Sequence, residues 1–147
     1  MKKLLAFGLV SGALIFLGCR AEADRPAASA KDPVAAQAAD KGIGPVKSLI
    51  LGPVDKALAD KGKALFNERC VACHSLTEDK TGPALGNVLG QVAPEFVMNV
   101  LLNTVEMEQK DTRILGLVKK FGIPMPPPGL DQEQARSVLE YLRTTKK

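Results

Sequence analysis

"KGKALFNERCVACHSL", residues 61 to 76, decides how the rest of the chain is read. Its first half has helical spacing: Leu58, Gly62, Leu65 and Phe66 fall on one face of a helix expected from about Asp55 to Arg69. That helix runs straight into Cys70, and Cys70, Cys73 and His74, the only histidine of the chain, follow within five positions. The sequence therefore delivers two thiols and one imidazole to a helix end.

Outward from this stretch, three more segments carry helical periodicity, and none sustains a strand's period of two. A helix from about Pro94 to Asn103 starts with proline in its first turn and presents Phe96, Val97, Val100 and Leu101. Another, Thr112 to Phe121, presents Ile114, Leu115, Leu117, Val118 and Phe121 and stops at Gly122, a C-cap residue. In the last, Asp131 and Gln134 have the logic of a capping box, and Ala135, Val138, Leu139 and Leu142 form the apolar stripe; Lys146 and Lys147 suit its C-terminus. The expected fold is all-α, with about four helices. Residues are 46% hydrophobic but only 4% aromatic, with no Trp. A core so poor in large rings leaves room for another source of bulk.

Three chemistries compete for Cys70-Val71-Ala72-Cys73-His74. A redox-active disulfide of the thioredoxin kind needs βαβ units, which the sequence lacks. A zinc site needs a further Cys or His cluster, and beyond Cys19 there is none. C-x-x-C-H is the attachment pattern of c-type haem: two thiols add to neighbouring vinyl groups while the next residue's imidazole reaches the iron. Attachment takes place outside the cytoplasm, which requires export, and the N-terminus supplies a signal. The macrocycle would also provide the missing aromatic mass.

With one histidine, the iron's sixth position is left to Met, Lys, water or a ligand. Of the four methionines, Met1 belongs to the signal, Met98 lies in the apolar run "FVMNVLL" as a core filler, and Met107 is flanked by carboxylates and expected at the surface unless a flexible loop brings it inward. Met125 sits in "GIPMPPPGL", where prolines stiffen the backbone enough to present a thioether. Met125 is the expected distal ligand.

"KGKALFNERCVACHSL", "TGPAL" and "MPPPGLDQEQARSVLEYLR", in that order, resemble the small class I (mono-haem) cytochromes c over about Val54 to Thr144. The resemblance implies a few helices wrapped on one covalently bound haem c, with Cys70 and Cys73 as thioether donors, His74 as proximal and Met125 as distal axial ligand. It implies that Gly62 lets the first helix approach the last near Tyr141, with Phe66 beside the crossing. It also implies that the Pro83 carbonyl accepts a hydrogen bond from His74 and orients the ring. With both axial positions filled, only outer-sphere electron transfer remains. The expected function is a one-electron carrier, not an enzyme, serving redox proteins such as a terminal oxidase or reductase. Alternatives are a gas or peroxide sensor or catalyst with an open sixth position, and a fixed subunit of a respiratory complex.

Before the domain, Lys2, Lys3 and the apolar run Leu4 to Gly18 read as an export signal, too short for a membrane span. "FLGC" resembles a bacterial lipobox, so lipidation of Cys19 and anchoring on the periplasmic side of a membrane are expected. "AEA" at Ala21 to Ala23 offers ordinary cleavage and a soluble periplasmic chain instead. Residues 19–42, rich in Ala and Pro, read as a tether reaching about 25 Å on average, and residues 43–147 as the haem domain. Without Lys2 and Lys3 the formal charge of +4 falls to +2. The pI near 9.0 therefore gives no case for a nucleic-acid partner, and a monomer is expected.

Overall fold

The computed structural model describes residues 40–145. The export signal, Cys19, the tether up to residue 39, and Lys146 and Lys147 lie outside the described residues. Among those described there is no strand and no helix long and apolar enough to cross a membrane. Five α-helices follow in order: α1 (Lys56–Arg69), α2 (Pro94–Leu102), α3 (Thr104–Lys110), α4 (Thr112–Phe121) and α5 (Gln132–Thr144), with a 3-10 turn at Val88–Gly90.

Local chemistry sets most helix ends. Asp55 caps α1 by accepting from the Leu58 N–H at 3.0 Å. Asp111 caps α4 by accepting from the Arg113 and Ile114 N–H groups, and Gly122 ends it at φ +73°. Asp131 and Gln134 form the full reciprocal box at the start of α5. Helix α3 was absent from the sequence expectation. In Thr104–Lys110 only Thr104 and Met107 are buried, too few positions to display a period, so packing stabilises a helix that propensity alone would not.

Helices α1 and α5 cross with their backbones in contact. A Cβ at Gly62 would stand 1.9 Å from the Ser137 carbonyl oxygen, so the closest approach lies one turn before Tyr141. The Tyr141 ring packs instead on Phe66, centroids 5.4 Å apart and tilted by 60°.

Helix α2 has two working faces. Phe96, Val97, Val100 and Leu101 face a cavity, while Glu95 and Asn99 hold the segment that precedes α1. Asn99 accepts from the Val46 N–H at 2.9 Å and donates to the carbonyls of Val46 and Lys41. Glu95 accepts from the Leu49 N–H at 3.1 Å and pairs with Lys41 at 3.3 Å. Asn103 donates to the Ile43 carbonyl. Asp40, Lys41 and Gly42, which the sequence reading assigns to the tether, are fastened too: Asp40 pairs with Arg113 at 3.5 Å. A Cβ on Gly42 would meet Met107 at 2.7 Å.

Candidate functional site

The C-terminus of α1 leads into a tight turn that carries the cysteine motif. The Cys70 N–H closes on the Phe66 carbonyl at 2.9 Å, and the Cys73 and His74 N–H groups both return to the Cys70 carbonyl, at 3.1 and 2.8 Å. One turn of chain thus presents both thiols and the imidazole together. Cys70 is buried and Cys73 exposed, and the thiols are not joined to each other. Burial pushes the Cys70 thiol above its ordinary pKa, Arg69 pulls it down and Cys73 adds to the rise, so the group is a neutral thiol at pH 7.

The next segment doubles back beside this turn. Gly82, Leu85 and Gly86 donate to the carbonyls of Cys73, Ser75 and Leu76 at 2.8 to 3.0 Å. Asp79 accepts from the Ala84 N–H at 2.9 Å. This brings the Pro83 carbonyl to 2.9 Å from His74 Nδ1. A carbonyl can only accept, so Nδ1 carries the proton and Nε2 holds the free lone pair. Gly82 lies flat against the ring: a Cβ there would stand 2.4 Å from His74 Cε1.

Both features open onto a cavity of about 300 Å³, within the size range of small-molecule and cofactor sites. Cys70, Cys73, His74 and Pro83 form one wall. Val92, Phe96, Val97 and Val100 form another, and Ile114, Leu117, Val118 and Phe121 of α4 a third. Ile123, Pro124, Met125 and Pro126 close the side supplied by the methionine loop. The structure thus gathers Cys70, Cys73, His74, Pro83 and Met125 at one cavity; Cys19 lies outside the described residues.

A flat, mostly apolar macrocycle with two reactive edge positions and a metal at its centre suits this cradle. The walls are mostly apolar, and two thiols stand on one rim. One imidazole has its outer nitrogen occupied, and one thioether stands on another wall. Among the described residues no group of three or more His, Cys, Asp and Glu side chains is gathered as an ordinary metal site would require.

Three features escaped the sequence reading. Met107, expected at the surface between its carboxylates, is completely buried, and its Sδ accepts from the Ile43 N–H at 3.0 Å. Flanking charges misled because Glu106 and Glu108 point elsewhere on a helix that the sequence did not reveal. Glu108 lines the cavity and accepts a hydrogen bond from the Met125 N–H. Arg69, next to the first cysteine, donates to the Pro128 carbonyl at 2.9 Å. Only Arg69 had a sequence signal, its adjacency to the motif.

Comparison with known proteins agrees with this geometry. The family model for cytochrome c matches residues 59–146. Cytochrome c-551 of Stutzerimonas stutzeri is 34% identical over 92 residues, which cover 61% of this chain and 82% of that protein. The structure of cytochrome c from Rhodothermus marinus superposes with a TM-score of 0.69 at 45% identity, covering 75% of this chain and 94% of that one. An engineered Rhodothermus marinus cytochrome c bound to a carbene intermediate gives 0.65 at 44%, covering 75% and 95%. The chain belongs to the cytochrome c family, electron-transfer proteins with one covalently attached haem c.

Proposed function

We propose that this chain is a single-haem electron carrier whose iron is held by His74 and Met125, with Cys70 and Cys73 as the thioether donors. The observation that carries this reading is the meeting of those four residues at one mostly apolar cavity. Haem c supplies a one-electron couple there. The protein's own residues do the rest. Pro83 fixes the His74 tautomer and strengthens its Nε2 as a donor. The apolar walls keep water out and disfavour the extra charge of the ferric state. A neutral thioether pushes the potential the same way. With both axial positions taken by protein, exchange with substrate is closed and the electron is the only cargo.

The chain is read as exported, held on the periplasmic side of a membrane by lipidated Cys19, and exchanging electrons with respiratory proteins, a terminal oxidase or reductase among them. The C-x-x-C-H motif supports export because haem is attached outside the cytoplasm, and "FLGC" supports lipidation.

The ferric haem-loaded protein should show the weak far-red absorption band of a methionine sulfur on iron. Met125→Ala should abolish it, lower the potential and let carbon monoxide bind the reduced protein. A wild type without the band that takes up carbon monoxide readily would identify the open-site reading as the right one. Intact mass of the mature chain checks lipidation: acyl groups on Cys19 are expected, and a chain starting at Asp24 would refute them.

A further inference from the structure

We infer that Glu108 is the positioning residue of the methionine loop: its carboxylate holds the Met125 N–H and so determines where the thioether stands in the cavity. This rests on the reading of Met125 as distal ligand. The loop runs Pro124-Met125-Pro126-Pro127-Pro128, and four of those five residues have no N–H to give. Met125 is therefore the one backbone donor in the stretch, and that donor is spent on Glu108 Oε1. Prolines restrict the loop's shape, but they cannot attach it to the rest of the protein through hydrogen bonds from their nitrogens. Attachment has to come through the Met125 N–H or through the loop's carbonyls.

Glu108 is well supported for this task. Its neighbour Met107 is wholly buried and takes the Ile43 N–H, and Asp111, one turn on, caps α4. The carboxylate thus projects from a short helix fixed on both sides. At the loop's other end Arg69 grips the Pro128 carbonyl at 2.9 Å, and Gly129 turns the chain at φ +64°. One hold comes from α3, the other from the residue next to the cysteine motif. Only the first acts on the backbone of the ligand itself.

The role is that of an acceptor and not of a charge, which separates three substitutions. Glu108→Gln keeps an oxygen at the same reach. Glu108→Ala removes it, and Glu108→Asp keeps the charge but shortens the reach by one methylene. The haem-loaded proteins are compared by the ferric far-red band, by the affinity of ferric protein for added imidazole, and by thermal unfolding, with Met125→Ala as the reference for a lost thioether. Glu108→Gln should keep the band. Glu108→Ala should lose most of it and bind imidazole about tenfold more tightly, equivalent to about 1.4 kcal/mol, because the hydrogen bond to the Met125 N–H no longer opposes displacement of the sulfur. Glu108→Asp should fall between them, and it decides the matter if the alanine variant fails to load haem. A Glu108→Ala or Glu108→Asp protein with the wild-type band and imidazole affinity overturns the inference, as does a Glu108→Gln protein that behaves like Glu108→Ala. If the wild type itself has no band and binds imidazole as Met125→Ala does, the ligand assignment falls, and this inference with it.

Discussion

A methyl group at position 62 would stand 1.9 Å from the Ser137 carbonyl oxygen and 2.4 Å from its carbon. Both obstacles are backbone, so neither can rotate away; α1 and α5 would have to separate. Gly62→Ala should therefore destabilise the haem-loaded protein by about 3 kcal/mol, the upper part of the range for overpacking a core. Denaturant unfolding measures this, and a variant within about 0.5 kcal/mol of wild type would mean that the crossing yields more easily than its contacts suggest. Single residues were unevenly legible in the sequence. Cys70, Cys73 and His74 announce themselves because covalent attachment demands a fixed spacing. Gly62 and Pro83 needed the family resemblance, since a glycine in a helix and a loop proline have many ordinary uses. Glu108 and Asn99 could not be found at all. Their partners lie 17 and 53 residues away, and a polar side chain's worth is decided by whatever the fold brings to it.

At the scale of elements, helices with sharp caps and continuous apolar stripes were readable. Helix α4 matches its expected bounds, α1 and α2 differ from theirs by a residue at one end, where a cap was counted as helix, and α5 starts directly behind the expected Asp131–Gln134 capping box. What stayed hidden was α3 and the second face of α2. The sequence shows the apolar face of α2 plainly. Its Glu95 and Asn99 carry no pattern that a sequence reading can use, yet both are buried under the segment before α1. Asn99 gives that segment what a strand neighbour would, one acceptor and two donors. Asn99→Ala leaves the buried Val46 N–H and C=O without these partners and should cost about 2–3 kcal/mol. Hydrogen exchange at the Val46 amide should rise well before global unfolding. The haem absorption spectrum should not change, because Phe96, Val97 and Val100 on the opposite face keep their places. A spectral shift in this variant would mean that the two faces of α2 are coupled.

Across the whole molecule, the residues before α1 are fastened by two buried carboxylates. Glu95 holds Lys41 and the Leu49 N–H. Glu140 holds the Asp55 N–H at 3.2 Å, and its partner Arg143 also donates to the Gly52 carbonyl at 2.7 Å. For Glu140, burial pushes the carboxyl pKa up, but hydrogen bonds from Arg143, Arg136 and the Asp55 N–H outweigh it, and the net direction is down. Glu95 follows the same pattern, burial being outweighed by its own N–H, Lys41 and Leu49. A carboxylate whose folded pKa lies below its ordinary value of 4.5 contributes stability that is complete above that value and is lost as pH falls through the folded one. Residues 41–55 should therefore come loose on acidification before the helix crossing does, since Gly62 and Ser137 meet through groups that do not titrate. Limited proteolysis and hydrogen exchange on haem-loaded protein should show this segment opening below about pH 4.5 while α1 and α5 remain protected. Glu140→Gln, which leaves two guanidiniums facing a neutral amide, should cost about 3 kcal/mol at pH 7 and flatten the acid dependence. Equal acid slopes in wild type and variant would show that Glu140 does not carry the effect. Because Glu95 sits on α2, whose other face lines the haem cavity, the same experiment shows how far the fastening of the N-terminal segment and the integrity of the site are separable: proteolysis of residues 41–55 with an unchanged haem spectrum is the expected order of events.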